Sequence, residues 1–275
     1  MSEHSDNDQQ AALLCSIDQR GVATLTLNRP ALHNAFDDAL IAQLSSELRR
    51  LAALPELRLL VLAASGKSFS AGADANWMRR MAGYGVADNL RDAQALAELL
   101  SLLNNFPQPT LARVQGAAFG GGVGLISCCD IAIASHRASF CLSEVKIGLI
   151  PATISPYVIS AIGPRAARRY FISAERFSAD AAVQLGLLSE CVDEQQLDER
   201  LAAMIEQLLA NGPAAMRAAK TLVLDYQHRQ LDSALVQDSC QRIADIRVSP
   251  EGQEGLSAFL EKRLPAWHSG EPHVQ

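Results

Sequence analysis

A chain of 275 residues, 49% of them hydrophobic, can bury a substantial core, as one large domain or as one domain with an appendage. Its formal net charge of −6, with no basic run able to track phosphates along a duplex, excludes nucleic acid as the main partner. Residues 1–12 are polar and acidic, unlike a signal peptide, and no apolar run is long and glycine-poor enough to span a membrane, so a cytoplasmic protein with a frayed N-terminus is expected.

From Leu13 to about Gly148, short β-like runs alternate with helix-like ones, the mark of stacked strand and helix layers. "VATLTLN" (22–28) predicts a strand. A helix follows over 38–53, where Leu40, Leu44, Leu48 and Leu51 recur at three- and four-residue spacing. "RLLVLAAS" (58–65) predicts the next strand. A second helix is predicted over 88–105, through Leu96, Leu99, Leu100 and Leu103. "TLARVQG" (110–116) and "DIAIAS" (130–135) continue the strands. After about Pro164 only "SECVD" (189–193) reads as β, and helices are predicted over 194–210, 213–227, 231–247 and 250–261. "NGP" (211–213) and "SPEG" (249–252) supply the breaks. The division expected is a mixed core over 1–195 and a helical part over 196–275. The six cysteines (15, 128, 129, 141, 191, 240) contain no CxxC and sit mostly in apolar contexts, which predicts buried reduced thiols and no metal cluster.

The segment "RVQGAAFGGGVGLISCCDIAIAS" (113–135) poses the main functional question. Glycine costs about 1 kcal/mol relative to alanine inside a helix, yet Gly120, Gly121 and Gly122 open an uncharged, helix-like run. A dinucleotide fingerprint fails, because counting from Gly120 the third glycine falls on Leu125. "SGKS" (65–68) fails as a phosphate loop, since the earlier glycine would be Val61. No GxSxG elbow surrounds Ser68, Ser70 or Ser127. Two readings remain. Either the glycines let a helix pack closely on a sheet, or they open a helix N-terminus, where unpaired N–H groups meet a ligand with no Cβ in the way. "SGKSFSAGADANWMRRMA" (65–82) offers a second such turn, with small residues Ser70 to Ala73 and then Asp74 at a helix start. Two turns of this kind can present two donors to one carbonyl oxygen.

Five stretches taken together, "LNRPALHNAF" (27–36), "FSAGAD" (69–74), "QGAAFGGGVGL" (115–125), "SEVKIGLIP" (143–151) and "EGLSAFLEKRLPAW" (254–267), resemble the successive signatures of the crotonase, or enoyl-CoA hydratase/isomerase, superfamily. The resemblance implies an α/β fold, a spiral of ββα turns with a C-terminal helical trimerisation region, assembled as a homotrimer or hexamer. It implies an acyl-CoA thioester as substrate, with coenzyme A entering only as part of that substrate and no further cofactor. Carried onto this chain, the oxyanion-hole donors are the backbone N–H groups of Ala73 and Gly121. Ala71, Asp74, Gly120, Gly124 and Pro151 fall among the substrate-binding positions, with Trp77 as a candidate lining residue. Arg29, Lys67 and Lys262 are candidate coenzyme A contacts, Lys262 reaching a neighbouring subunit's ligand. Asn76 stands where related chains often carry a lysine.

Many hydratases of this family carry two glutamates. The first of those positions is Gly124 here, and the second is Glu144. Glu144 lies among Phe140, Leu142, Val145 and Ile147, where desolvation would raise its pKa toward the range useful for proton transfer. A single carboxyl beside an oxyanion hole permits hydration or double-bond migration, and loss of the first glutamate also permits a silent acyl-CoA binder. The finer similarity of "GADANWMRRMA", "GGGVGLISCCD" and "IPATISPYVISAIGPRAARRYF" is to bacterial hydratases of branched glutaconyl-CoA thioesters, those of methylglutaconyl-CoA in leucine breakdown and isohexenylglutaconyl-CoA in acyclic terpene breakdown.

Overall fold

The computed structural model describes residues 11–227 and 229–268, so nearly all of the polar segment expected at 1–12 lies outside the described residues. The chain repeats one motif, two strands and then a helix. β1 (Leu13–Ile17) and β2 (Val22–Leu27) lead to α1 (Asp38–Ala52). β3 (Leu59–Ala64) and β4 (Ser68–Ser70) precede α2 (Ala75–Met81) and α3 (Val86–Asn104). β5 (Thr110–Val114) and β6 (Ala117–Phe119) precede α4 (Gly121–Ser127), and β7 (Ile131–Ser135) and β8 (Ser139–Cys141) precede α5 (Ser155–Ser173). β9 (Phe177–Ser178), α6 (Ala179–Leu185) and β10 (Glu190–Val192) close the core.

Both strands of the first unit lie in a six-stranded sheet ordered β1-β2-β3-β5-β7-β10; in the later units the first strand joins that sheet and the second joins a four-stranded sheet ordered β4-β6-β8-β9. Because the chain returns through a helix each time, neighbours from successive units run parallel. Only β1 with β2 and β8 with β9 are antiparallel. This is the ββα spiral expected of the fold.

β3 is buried at all six positions, as a parallel strand covered on both faces must be. Its side chains alternate between two cores. Leu60, Leu62 and Ala64 pack with α1 and α3, whereas Leu59, Val61 and Ala63 pack with Leu197, Leu201 and Ile205 of α7 (Leu197–Leu209). α7, grouped by sequence with the helical part, thus covers the second face of the main sheet. α8 (Pro213–Tyr226), α9 (Ser233–Val248) and α10 (Pro250–Glu261) follow at the predicted places. They bury little, and Val223, Val248, Leu260 and Phe259, the last 81% exposed, face outward.

Two features escape the sequence patterns. β4, β6 and β8 are three residues long, too short to show alternation. α5 is not among the predicted helices, and Gly163 (φ 74°) breaks its course before Pro164. The thiols also depart from expectation: Cys128 and Cys141 are buried, but Cys15 and Cys240 are exposed.

Candidate active site

The three parts of the site leave the C-terminal ends of three adjacent parallel strands. β4, β6 and β8 pair through Ser70↔Ala118 and Phe119↔Cys141. Ala73 comes three residues after β4, Gly121 two after β6, and Glu144 three after β8. Ligands of parallel sheets collect in such crevices beyond the carboxyl ends of the strands.

The Ala73 N–H is freed by its neighbours. Phe36 forms a parallel bridge to Ala73, donating its N–H to Gly72 O at 2.8 Å and accepting from Asp74 N–H at 2.7 Å. In that pattern the bridged residue turns its own N–H the other way. Gly121 is the first residue of α4, so its N–H has no intrahelical acceptor. Among the described residues neither N–H donates to any protein group. Gly120 caps this helix at φ 50° and ψ −117°, a conformation glycine adopts without strain. Its own N–H is spent on Cys141 O at 2.9 Å, which ties the turn to β8.

Glu144 begins a 3₁₀ turn (Glu144–Ile147) closed by Gly148. A Cβ on Gly120 would lie 3.0 Å from Glu144 Oε1, so the carboxyl sits against the oxyanion turn. Its Oε2 is buried and has no hydrogen-bond partner among the described residues. Burial pushes the Glu144 carboxyl up, its own backbone N–H opposes this, and no neighbouring charge contributes. An unpaired buried oxygen is costly to a folded chain, and it is also free to take a proton from a bound water or substrate.

A clamp missed by the sequence reading holds the β4 turn. Asn34, fully buried at φ 54°, accepts from Arg29 N–H and donates from Nδ2 to Ser65 O and Ser68 O. Ser70 Oγ donates to Asn34 O, and Ala71 N–H donates to His33 O. "HNAF" carries this role in its two consecutive left-handed residues, His33 and Asn34, and spacing alone does not disclose that.

Several expected binding residues take other roles. The Arg29 guanidinium is not a free phosphate ligand: it pairs with Asp37 at 2.9 Å and Asp74 at 3.0 Å and donates to Ala35 O. Asp74 is the cap of α2, accepting from the N–H groups of Asn76 and Trp77. Burial works against its charge, but those two N–H groups and Arg29 prevail and hold its carboxyl below the usual range. Trp77 is a core residue, 5% exposed, whose Nε1 donates to Asp92 of α3. Gly124 does not leave an empty place, since a Cβ there would meet Ile154 Cγ2 at 2.4 Å and Leu100 Cδ2 at 3.5 Å. Ala71 and Ala73 are exposed at the cleft, Gly120 and Pro151 are buried, and Lys67, just before β4, is an exposed cation with no ion pair among the described residues. Lys262 caps α10 at φ 56°, exposed and away from the three turns, on a helix packed mainly against α8 and α9.

A groove of about 1350 Å³ lined by Arg20, Arg58, Leu209 and Trp267 contains none of these groups. Unpaired donors at neighbouring turns and an unpaired acid outweigh volume as the mark of chemistry. The cleft itself is open on the single chain, and beside Glu144 the apolar Ile147, Leu149 and Ile150 face outward.

Two N–H groups left free at neighbouring strand-end turns of a ββα spiral, with a desolvated carboxyl against one of those turns, are the parts an oxyanion-stabilising site needs to handle protons next to a carbonyl. The sequence model of the enoyl-CoA hydratase/isomerase family matches residues 18–270, and the chain belongs to that family. A crystal structure of an enoyl-CoA hydratase from Shewanella pealeana is 49% identical, covers 95% of this chain and 97% of that one, and superposes with a TM-score of 0.91. AtuE of Pseudomonas aeruginosa is 36% identical over 94% of this chain and all of that one, with a TM-score of 0.90. The 2,3-dehydroadipyl-CoA hydratase of Escherichia coli is 34% identical, covering 90% of this chain and 95% of that protein.

Proposed function

We propose that this chain adds water to the α,β-double bond of an enoyl-CoA thioester, its substrate being a 3-branched glutaconyl-CoA such as methylglutaconyl- or isohexenylglutaconyl-CoA. It is a hydratase-type enzyme of its family. One observation carries the reading: the Glu144 carboxyl, its Oε2 without a partner, sits against the Gly120 turn, and among the described residues the N–H groups of Ala73 and Gly121 are left unused.

The thioester carbonyl accepts from Ala73 and Gly121, and these bonds strengthen as negative charge develops on the oxygen. The Glu144 carboxylate takes a proton from water as the hydroxyl adds at C3. The resulting enolate is then protonated at C2 by the same carboxyl, which returns to its ionised form. Coenzyme A is needed only as part of the substrate, with Lys67, and Lys262 of a neighbouring copy, available to its phosphates. An acyl chain ending in a carboxylate gains support from the relative named for dehydroadipyl-CoA. The proposed setting is cytoplasmic breakdown of leucine or acyclic terpenes; no helix among the described residues is long and apolar enough to cross a membrane. A homotrimer or hexamer would cover the outward apolar faces of α8–α10 and close the cleft beside Ile150.

Double-bond isomerisation is the second reading, favoured by the single carboxyl. Incubation with 3-methylglutaconyl-CoA and with crotonyl-CoA, followed by loss of enoyl-thioester absorbance and by product mass, separates the cases. A gain of one water supports hydration. An unchanged mass with a shifted double bond supports isomerisation, and binding without either leaves a silent acyl-CoA binder.

A further inference from the structure

The sequence spacing shows no metal-ligand pattern, but folding brings three candidate ligands together on elements that take no part in the oxyanion turns. His136 follows β7, Asp180 lies in the first turn of α6, and Cys191 lies in β10. His136 Nδ1 is 3.3 Å from Asp180 Oδ1, and Cys191 Sγ is 3.4 Å from the same oxygen. All three ligand atoms fall within 4.8 Å of one another.

We infer that His136, Asp180 and Cys191 form a binding site for a zinc-class divalent cation, with the fourth position open to water. Around zinc, with bonds of roughly 2.0–2.3 Å, tetrahedral ligand atoms stand about 3.3–3.6 Å apart. The two separations from Asp180 already meet that requirement. The remaining one closes by side-chain torsion, because His136 is exposed and free to rotate.

The backbones that carry the ligands are fixed. Cys191 pairs in parallel with Ala134, and His136 N–H donates to Val192 O at 2.9 Å. α6 is capped by Ser178, itself paired with Ser139 of β8. Side chains held this way meet a ligand with little reorganisation. The adjoining arginines offer no opposition to a cation, since Arg137 is paired with Glu194 and Arg200 with Glu190. A set of one sulfur, one imidazole nitrogen and one carboxylate oxygen selects zinc or its analogues over calcium and magnesium, which prefer oxygen alone. The site ties the start of α6 to the β7–β10 edge.

Cobalt(II) is the probe, because thiolate ligation gives it a charge-transfer band in the near ultraviolet. Titrating the full chain with Co(II) should produce that band, saturating at one ion per chain and displaced by Zn(II). Cys191→Ser should abolish it. His136→Ala should weaken Co(II) binding at least about tenfold, since even outer partners of metal ligands are worth about 10–100-fold. Hydration of crotonyl-CoA should be unchanged in both variants. Absence of the band in the parent chain overturns the assignment. So does a band that survives Cys191→Ser, which would place the ion at another thiol such as the exposed Cys15 or Cys240, and so does undiminished affinity in His136→Ala.

Discussion

A single methyl group at Gly121 tests whether the two donors form one unit. The added Cβ would lie 2.3 Å from Phe36 Cε2, 3.1 Å from Cζ and 3.2 Å from Cδ2. Carbon atoms rest about 3.5–4.0 Å apart, so the ring edge or the helix start must yield by roughly 1.2 Å or more. The ring cannot move alone, because Phe36 is 2% exposed and its backbone holds Gly72 and Asp74 on either side of Ala73. The push therefore reaches one donor or the other. A misplacement near 1 Å costs about 10²-fold in rate, and loss of one oxyanion donor about 10²–10³-fold. Gly121→Ala is expected to lower kcat by ~10²–10³, with affinity for a CoA product nearly unchanged, and overpacking should also cost about 1–3 kcal/mol of stability. Leucine at position 36 lacks the offending ring edge, so Phe36→Leu in the same chain should recover part of kcat. Steady-state hydration of crotonyl-CoA, calorimetric CoA binding and circular dichroism provide the readouts. Parent-like kcat in Gly121→Ala, or a folded double variant with no recovery, would refute the coupling of Phe36 to the hole.

Glu144→Gln should keep the fold and lower kcat by ~10²–10⁴, the usual worth of a positioned acid or base; near-parental turnover would remove Glu144 from the chemistry. The same variant should be more stable at neutral pH. Burial raises the carboxyl above its ordinary 4.5, so the native state holds its proton more tightly and loses stability as pH climbs from the unfolded value through the folded one. The advantage of glutamine should accordingly fade as pH drops below the ordinary carboxyl range, and a melting difference that is flat with pH would contradict this. Arg29→Gln should destabilise the chain by about 2–4 kcal/mol, because Asp37 and Asp74 lose a half-buried partner. CoA affinity should hold, whereas a selective loss of affinity would return Arg29 to the phosphates. Gly124→Glu should lower Tm through the clash with Ile154; with Ile154→Ala it should lower kcat/KM for a branched glutaconyl-CoA relative to crotonyl-CoA. An unchanged ratio would leave Gly124 with no part in selectivity.

Elements with a full period of apolar residues were legible in the sequence. α1 buries Leu40, Leu44, Leu48 and Leu51 where spacing predicted them, and Asp74 and Gly120 begin helices at the two predicted turns. The strands that carry the site were not, because three residues of β4, β6 or β8 contain no pattern. Side-chain roles were the least legible. Arg29 and Trp77 sit inside site signatures, yet one braces Asp37 and Asp74 and the other fills the core; neither contact can be read without knowing where residues 37, 74 and 92 fold. The same holds for His136, Asp180 and Cys191, joined only by the pairing of β7 with β10 and the placement of α6.

The filling of the space at Gly124 constrains the stereochemistry of water addition. Ile154 and Leu100 occupy the direction a side chain there would take, so no second acid enters from α4. Among the described residues no neighbouring charge contributes to the raised pKa of Glu144, and Asp74 at the Ala73 turn is engaged by Arg29 and by the α2 N–H groups. In the proposed hydration Glu144 takes the proton from water and then delivers one to C2. Its backbone is set by the 3₁₀ turn, and one carboxyl acting from one place would make both transfers on the same face of the double bond. The hydroxyl at C3 and the new hydrogen at C2 should therefore arrive syn. Hydration in deuterium oxide, with the relative configuration of the product read by NMR, checks this directly. Anti addition would require a proton donor on the opposite face, such as the distal carboxylate of a glutaconyl substrate, and would end the single-carboxyl account. With crotonyl-CoA, which has no distal carboxylate, syn addition should persist, and an anti product there would point to a donor from a neighbouring copy.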